Sequence, residues 1–158
     1  MPDPIRPPAA RRPEEALELV SQALSDGDLE AALAQYEKGA LLADWPQAVD
    51  GDVRSTLTCF MALRLPLSVR IVTVLESPDL ALVICERRVA GTGPDGEQVR
   101  LSGHGCAVLR LQPEGAWRIA ADAWSAGTEL PFDPPEIPPA AAGDPVHCEG
   151  PGGPMREA

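Results

Sequence analysis

Two aspartates are the residues of this chain best suited to proton-transfer chemistry. Asp44 lies beside Trp45, and Asp122 shortly precedes Trp124. A carboxylate in a mostly apolar cavity has a raised pKa, which suits a general acid or base near neutral pH. Two carboxylates that face one cavity also push each other's pKa values apart. These two positions are therefore predicted to supply a catalytic acid and base.

Each aspartate also has a purely structural interpretation. Asp44 could cap or solvate the loop before Pro46. Asp122 could form an ion pair with Arg118, Arg88 or a residue of a partner subunit. The residue types alone leave these alternatives open.

His104 is a third candidate, because histidine titrates near neutral pH. It lies between Gly103 and Gly105, whose small size would let a ligand approach. The face on which it lies depends on the hairpin register, which a change of one residue in the turn reverses. It could equally be a histidine of an outer sheet face or of a dimer interface.

Four aromatic residues are candidates for the wall of a ligand pocket: Tyr36, Trp45, Phe60 and Trp124. Large rings supply apolar contact area, and the polar atoms of tyrosine and tryptophan bind hydrogen-bonding partners. Tyr36 also suits the core with its hydroxyl in one hydrogen bond. Phe60 suits either the core or a pocket wall.

Charge and composition exclude several classes of partner. The formal net charge is −11, and Lys38 is the single lysine. A surface that binds nucleic acid needs clustered Lys and Arg, so nucleic acid is not expected as a partner. No apolar run approaches the ~20 residues that span a bilayer. The N-terminal residues lack the apolar stretch of a secretory signal, so a cytoplasmic protein is expected.

The cysteines and histidines do not indicate a metal site. The four cysteines are scattered without a CxxC motif, and their spacing to His104 and His147 is not that of zinc ligands. Phosphate-binding, serine-hydrolase and zinc-protease motifs are also missing from the sequence. No cofactor is expected.

Proline divides the chain into two tails and one domain. Five of the 18 prolines lie in residues 1–13 and eight lie after residue 125. Segments of this composition do not pack, so residues 1–13 and 126–158 are predicted to be disordered tails. Residues 14–125 are predicted to form one α+β domain.

The first half of that domain is predicted to be helical. A helix starts at Pro13 and is broken at Asp26-Gly27. Asp28 caps a second helix, LEAALAQYEKG, and a third helix covers VRSTLTCFMALRL after the turn at Asp50-Gly51-Asp52. The helices are expected to lie on one face of a sheet.

The second half is predicted to be an antiparallel meander of strands. The segments LSVRIVTVLE, LALVICERRVAGT, QVRLSGHGCAVLRL and AWRIAADAWS are rich in β-branched and aliphatic residues. GPDGE reads as a hairpin loop in which Gly96 takes positive φ. Strict alternation on the last strand would put Arg118, Ala120, Asp122 and Trp124 on one face and Trp117 and Ile119 on the other.

Two stretches resemble the nuclear transport factor 2-like superfamily, in particular its SnoaL-like proteins and ketosteroid isomerases. Residues 26–45, DGDLEAALAQYEKGALLADW, are similar to its second helix and the short strand that ends in an acid. Residues 116–125, AWRIAADAWS, are similar to its final strand. The resemblance implies three helices on a strongly bent antiparallel sheet, which together form a cone around a deep pocket.

The resemblance also implies roles for individual residues. Asp44 matches the proton-shuttling aspartate of the isomerases, and Trp124 matches an aromatic residue of the pocket. Val20 stands where those enzymes have a ketone-polarising tyrosine, and Ala107 where they have a neutral acid. Steroid isomerisation by that mechanism is therefore not expected. The SnoaL-like cyclases place an acid on the last strand, and Asp122 matches it.

These observations predict an enzyme that works by acid–base proton transfer on a small, largely apolar metabolite. A cyclase, isomerase or dehydratase of bacterial specialised metabolism fits the resemblance, with Asp44, Asp122 and His104 as its catalytic residues. Two alternatives stay open: a ligand-binding module without turnover, and an association domain that forms a homodimer. In a dimer, Arg87, Arg110 and Arg118 could pair with acids of the second copy.

Overall fold

The structure is a computed structural model that describes residues 7–45 and 52–125. Within β1 and β5, the side chains of Asp44, Trp45 and Ser125 are outside that description. The predicted C-terminal tail, residues 126–158, and the first part of the predicted Asp50-Gly51-Asp52 turn also lie outside the described residues. None of the described helices is long and apolar enough to cross a membrane.

Three helices form in the described residues: α1 (Pro13–Asp26), α2 (Leu29–Leu33) and α3 (Val53–Ala62). Pro13 occupies the first turn of α1, and Gly27 ends the helix in the left-handed conformation with φ of 76°. Asp28 caps α2, since its side chain accepts the Ala31 N–H, and Asp52 caps α3 in the same way through Ser55. The predicted starts of all three helices are thus confirmed.

The second helix is much shorter than predicted. It ends at Leu33, whereas the sequence pattern extended it to Gly39. The chain instead enters a strand at Tyr36, which pairs with Ile119 of the last strand. Sheet hydrogen bonds and burial of the tyrosine ring outweigh the helix propensity of this segment. The third helix likewise ends at Ala62, before the predicted Leu65.

The five strands are β1 (Tyr36–Trp45), β2 (Leu67–Glu76), β3 (Leu80–Thr92), β4 (Gln98–Leu111) and β5 (Trp117–Ser125), ordered β1-β5-β4-β3-β2 in one sheet. Strands β2 to β5 form the predicted antiparallel meander. Strand β1 pairs with β5 in parallel, so the sheet is mixed rather than wholly antiparallel. Because α3 and three strands separate β1 from β5, no hairpin imposes an antiparallel pairing.

The core lies between α1 and one face of the sheet. Leu17 and Val20 of α1 pack in the same buried cluster as Val83, Leu109 and Ile119 of the strands. The opposite face leaves several large apolar side chains exposed, among them Leu41, Val72, Leu75, Leu80 and Ile84. The helices thus cover one face of the sheet, as predicted.

A β-bulge on the last strand changes which side chains face the helices. Ala121 pairs with Val108 and Ile119 with Leu109, so Ala120 has no partner on β4. The extra residue reverses the alternation. Trp117 and Ile119 before the bulge, and Asp122 and Trp124 after it, are all buried. The predicted strict alternation is therefore wrong across Ala120.

The chain is packed on this domain before the predicted start at residue 14. Ala10 is fully buried and forms a β-bridge with Trp117. The Gln35 side chain, which is 1% exposed, donates from Nε2 to the carbonyl oxygen of Pro8 at 2.9 Å. Residues 8–10 therefore pack against the sheet beside the start of β5.

Candidate functional site

A cavity lies between the helices and the covered face of the sheet. It holds about 450 Å³ of space free of atoms, which includes its opening to solvent. Its wall is mostly apolar, with contributions from α1, α3 and β2 that include Leu17, Val20, Leu24, Leu57, Phe60 and Leu67. An apolar wall of this kind is typical of sites that bind organic molecules.

Three polar side chains are joined at the wall of this cavity. Nη2 of Arg87 donates to both carboxylate oxygens of Asp122, at 2.8 and 3.0 Å. The Tyr36 hydroxyl donates to Oδ2 of the same carboxylate at 3.1 Å. All three residues are buried, with exposed fractions of 6% for Arg87 and Tyr36 and 3% for Asp122. We refer to these three residues as the buried polar triad.

Small residues on β4 make room for the triad. Arg87 on β3 is level with Gly103, and Asp122 on β5 is level with Ala107, so the ion pair crosses β4 diagonally over Gly105. A Cβ atom on Gly105 would lie 3.5 Å from Cζ of Arg87 and 3.1 Å from Sγ of Cys85. Gly105 therefore accommodates the arginine, whereas the sequence suggested that the glycines beside His104 would admit a ligand.

The electrostatics of the site fix the protonation states of Arg87 and Tyr36. Burial alone would lower the pKa of Arg87, but the adjacent carboxylate of Asp122 outweighs it and the pKa is raised. Arg87 is therefore always charged. Burial and, after it, the negative charge of Asp122 raise the pKa of Tyr36 well above its ordinary value. The hydroxyl thus stays neutral and remains a hydrogen-bond donor.

Trp124 completes the polar side of the wall. It is 4% exposed, its ring centroid is 4.6 Å from that of Phe60, and Cζ of Arg87 lies 5.8 Å from it. The last distance is within the range of a cation–π contact. The indole Nε1–H is buried and has no hydrogen-bond acceptor among the described residues.

Four of the seven residues singled out from the sequence meet at this cavity: Tyr36, Phe60, Trp124 and Asp122. His104 does not join them. It pairs with Glu86 on β3, and this pair lies on the face of the sheet opposite to the buried Arg87, so His104 is exposed. The register therefore places His104 away from the cavity. The backbones of Asp44 and Trp45 pair with those of Trp124 and Ser125, while their side chains are outside the description.

The predicted partners of several charged residues differ from the observed ones. Asp122 is paired with Arg87, not with Arg118 or Arg88. The three arginines proposed for a dimer interface all pair within the chain: Arg87 with Asp122, Arg110 with Glu37, and Arg118 with Glu114. These pairs remove the sequence-based reason for placing the arginines between two copies.

Arg87 is the charged residue of the cavity wall that the sequence analysis did not place at a pocket. The sequence places it within a charged run, Glu86-Arg87-Arg88, at the end of an apolar strand. The available signal was its position in the alternation of β3. Arg87 lies on the same face of the strand as Val83, Cys85 and Val89, and all four residues are buried. An arginine in phase with buried residues requires a buried acid.

Within residues 7–45 and 52–125, no group of three or more His, Cys, Asp and Glu side chains is arranged to hold a metal ion. The donor set at the cavity does not suit one either, because a guanidinium already occupies the carboxylate of Asp122. The site is better suited to an organic ligand than to a cation.

Solved structures share this arrangement of helices and strands. A ketosteroid isomerase-like protein from Erwinia carotovora atroseptica is 19% identical, with a TM-score of 0.63 over 73% of this chain and 94% of that chain. A nuclear transport factor 2-like protein of unknown function from Pseudomonas putida is 21% identical, with a TM-score of 0.58 over 75% and 87%. The chain has the nuclear transport factor 2-like fold.

Other structures with the nuclear transport factor 2-like fold carry different descriptions. A putative calcium/calmodulin-dependent protein kinase type II association domain from Thiobacillus denitrificans is 18% identical, with a TM-score of 0.59 over 77% of this chain and 99% of that chain. No protein-family model and no curated protein matches the sequence. At these identities the nuclear transport factor 2-like neighbours establish the fold and not the activity.

We expect Arg87→Met to destabilise the protein strongly, because it leaves the Asp122 carboxylate buried without its cation. The free energy of unfolding, measured with urea, should fall by about 3–5 kcal/mol. Arg88→Met on the same strand is the matched control, since Arg88 is exposed, and should change it by less than about 0.5 kcal/mol. Arg87→Met/Asp122→Leu should recover most of the loss. A loss below about 1 kcal/mol for Arg87→Met would contradict this ion pair.

Tyr36 is the single tyrosine of the chain, so tyrosinate absorbance near 295 nm reports on it alone. In urea this absorbance should appear near pH ~10, whereas in the folded protein it should appear only at clearly higher pH. Because folding raises this pKa, the stability contribution is complete below pH ~10 and is lost as the pH rises further. Tyr36→Phe should lessen the alkaline loss of stability. Coincident titrations in the folded and unfolded states would refute burial of this hydroxyl.

Proposed function

We propose that this protein binds a small, largely apolar molecule in the cavity between its helices and sheet. The observation that carries the proposal is an apolar cavity whose two charged lining residues, Arg87 and Asp122, neutralise each other. Such a wall favours apolar surface and offers a few fixed polar contacts for orientation. Most of the binding free energy would come from burial of apolar surface.

The buried ion pair supports a binding role more directly than a stabilising one. Removing two charges from water costs several kcal/mol per ion, and the attraction between them does little more than offset it. An apolar pair of similar volume could fill the same space at no loss of stability. A polar triad at the wall of a cavity is therefore best explained by a ligand that it orients.

A proton-transfer enzyme is the second candidate, favoured by a carboxylate and a phenol hydrogen-bonded to each other at the cavity wall. An isomerase, cyclase or dehydratase that needs no cofactor is the reaction class suggested by the resemblance and by the ketosteroid isomerase-like neighbours. Asp122 would accept or return the proton, with Asp44 as the second acid. Arg87 holds both oxygens of Asp122, so turnover would require that contact to loosen.

One experiment separates binding from catalysis. Purified protein is incubated with metabolite extract, and mass spectrometry follows the compounds that are retained, consumed or produced. Val20→Phe fills the cavity from α1 and should abolish retention, whereas Leu41→Phe places a ring on the exposed outer face of β1 and should not. Loss of retention in both variants or in neither would contradict binding in this cavity.

The double variant Arg87→Gln/Asp122→Asn addresses catalysis. It keeps hydrogen-bonding side chains at the cavity wall but removes both charges and the proton acceptor. A compound that wild type converts and this variant only retains would establish proton transfer through Asp122. Equal retention by both proteins, with conversion by neither, would leave a binding protein without turnover. Circular dichroism should first show that each variant is folded.

We also propose that the protein forms a homodimer through the outer face of its sheet. Val72, Leu75 and Ile84 expose apolar side chains on β2 and β3, and exposed apolar patches of this kind mark association surfaces. Multi-angle light scattering should give about twice the chain mass of 16.7 kDa. Val72→Glu should shift the mass to that of the monomer. A wild-type monomer at all concentrations would overturn the proposal.

A further inference from the structure

The indole Nε1–H of Trp124 is the buried side-chain nitrogen or oxygen that lacks a hydrogen-bond partner among the described residues. Trp124 is 4% exposed and lines the cavity. A buried donor without an acceptor is costly, and native proteins rarely retain one without a reason. The other polar groups at the wall are satisfied, since Ser21 donates to the Leu67 carbonyl and the triad is internally bonded.

From this we infer that the cavity selects a molecule with one uncharged oxygen acceptor, such as a ketone, on an otherwise apolar frame, and that Trp124 Nε1–H donates to that oxygen. The inference rests on the proposed ligand-binding function and adds the chemical class of the ligand. It also assigns a specificity-determining role to Trp124. The indole nitrogen is a donor only, so a ligand that presents another donor gains nothing there.

The charges near Trp124 favour a neutral ligand over an anion. Arg87 lies over the indole ring but is neutralised by Asp122, and both residues line the same cavity. A carboxylate that entered would lose its hydration and meet no net positive charge in return. A ketone loses far less hydration and gains the unused N–H.

Access to the nitrogen requires a neighbouring side chain to move, because Nε1 has almost no exposed surface. Phe60 is the side chain best placed to do so. Its ring packs on Trp124 at a centroid distance of 4.6 Å, yet it is only partly buried. Leu57 is the one buried residue of α3, the helix that carries Phe60. This helix is therefore held against the wall by few buried side chains.

Three probes of similar shape test the inference: cyclohexanone, methylenecyclohexane and cyclohexanecarboxylate. Cyclohexanone has an oxygen where methylenecyclohexane has a =CH₂ group, and cyclohexanecarboxylate carries a negative charge. Titrations are followed by ¹H–¹⁵N NMR, in which the three tryptophans of the chain give three indole signals. Trp124→Phe identifies the Trp124 signal, and Trp117→Phe is the matched control on the same strand, outside this cavity.

Cyclohexanone should bind wild type about five- to tenfold more tightly than methylenecyclohexane, the gain expected from one hydrogen bond to a buried donor. It should move the Trp124 indole proton downfield, and the carboxylate should bind most weakly. Trp124→Phe should bind the two neutral probes equally, while Trp117→Phe should keep the preference.

The outcomes distinguish the inference from the function on which it rests. If the neutral probes bind wild type equally, or the carboxylate binds as well as the ketone, the selectivity inference is overturned and the binding function stands. If Trp124→Phe keeps the preference for the ketone, the role of Trp124 is overturned. If no probe shifts any resonance of a cavity residue, both the inference and the binding function fall.

Discussion

The ion pair between Arg87 and Asp122 constrains three strands at once. Arg87 reaches from β3 across β4 to the carboxylate on β5, so β4 must carry almost no side chain at the crossing. Gly103, Gly105 and Ala107 meet that requirement. The pair also fixes the phase of β3 and β5, because a shift of one residue in either would turn one charge outward and leave the other buried.

The bulge at Ala120 reconciles two demands on the last strand. Trp117 and Ile119 must face the core, where they are buried, while Asp122 must face Arg87. Strict alternation cannot satisfy both, because it would place Ile119 and Asp122 on opposite faces of the sheet. One unpaired residue on β5 corrects the phase at the cost of a local break in the ladder of hydrogen bonds. It also brings Trp124 into the cavity beside the triad.

The sequence was a good guide to features that depend on local chemistry. Proline at the start of α1, aspartates at the starts of α2 and α3, and Gly96 with φ of 86° in the β3–β4 loop were all predictable. Tertiary pairing decided the rest. The short α2 and the parallel β1 depend on hydrogen bonds to β5, a strand far along the chain. No local sequence pattern predicts these hydrogen bonds between β1 and β5.

The candidate site divides in the same way. Residue type singled out Tyr36 and Phe60 as aromatic candidates, while the resemblance to the nuclear transport factor 2-like superfamily placed Asp122 and Trp124 at a pocket. The position of His104 depended on strand register, and the pairing of Arg87 on a diagonal contact that spans β4. Such contacts follow from how strands align and not from what any one strand contains. The small residues of β4 were visible in the sequence, but their meaning requires both neighbouring strands.

The placement of polar groups also separates this cavity from that of the isomerases it resembles. By that resemblance, Val20 and Ala107 stand where those enzymes have a tyrosine and a neutral acid. Both positions here are buried and apolar. The polar groups come instead from Tyr36 on β1, Arg87 on β3 and Asp122 on β5, all from the sheet. A ligand would therefore meet the triad at the sheet and mostly apolar surface at α1, where the Ser21 hydroxyl already donates to the Leu67 carbonyl. Its polar end should point toward the strands.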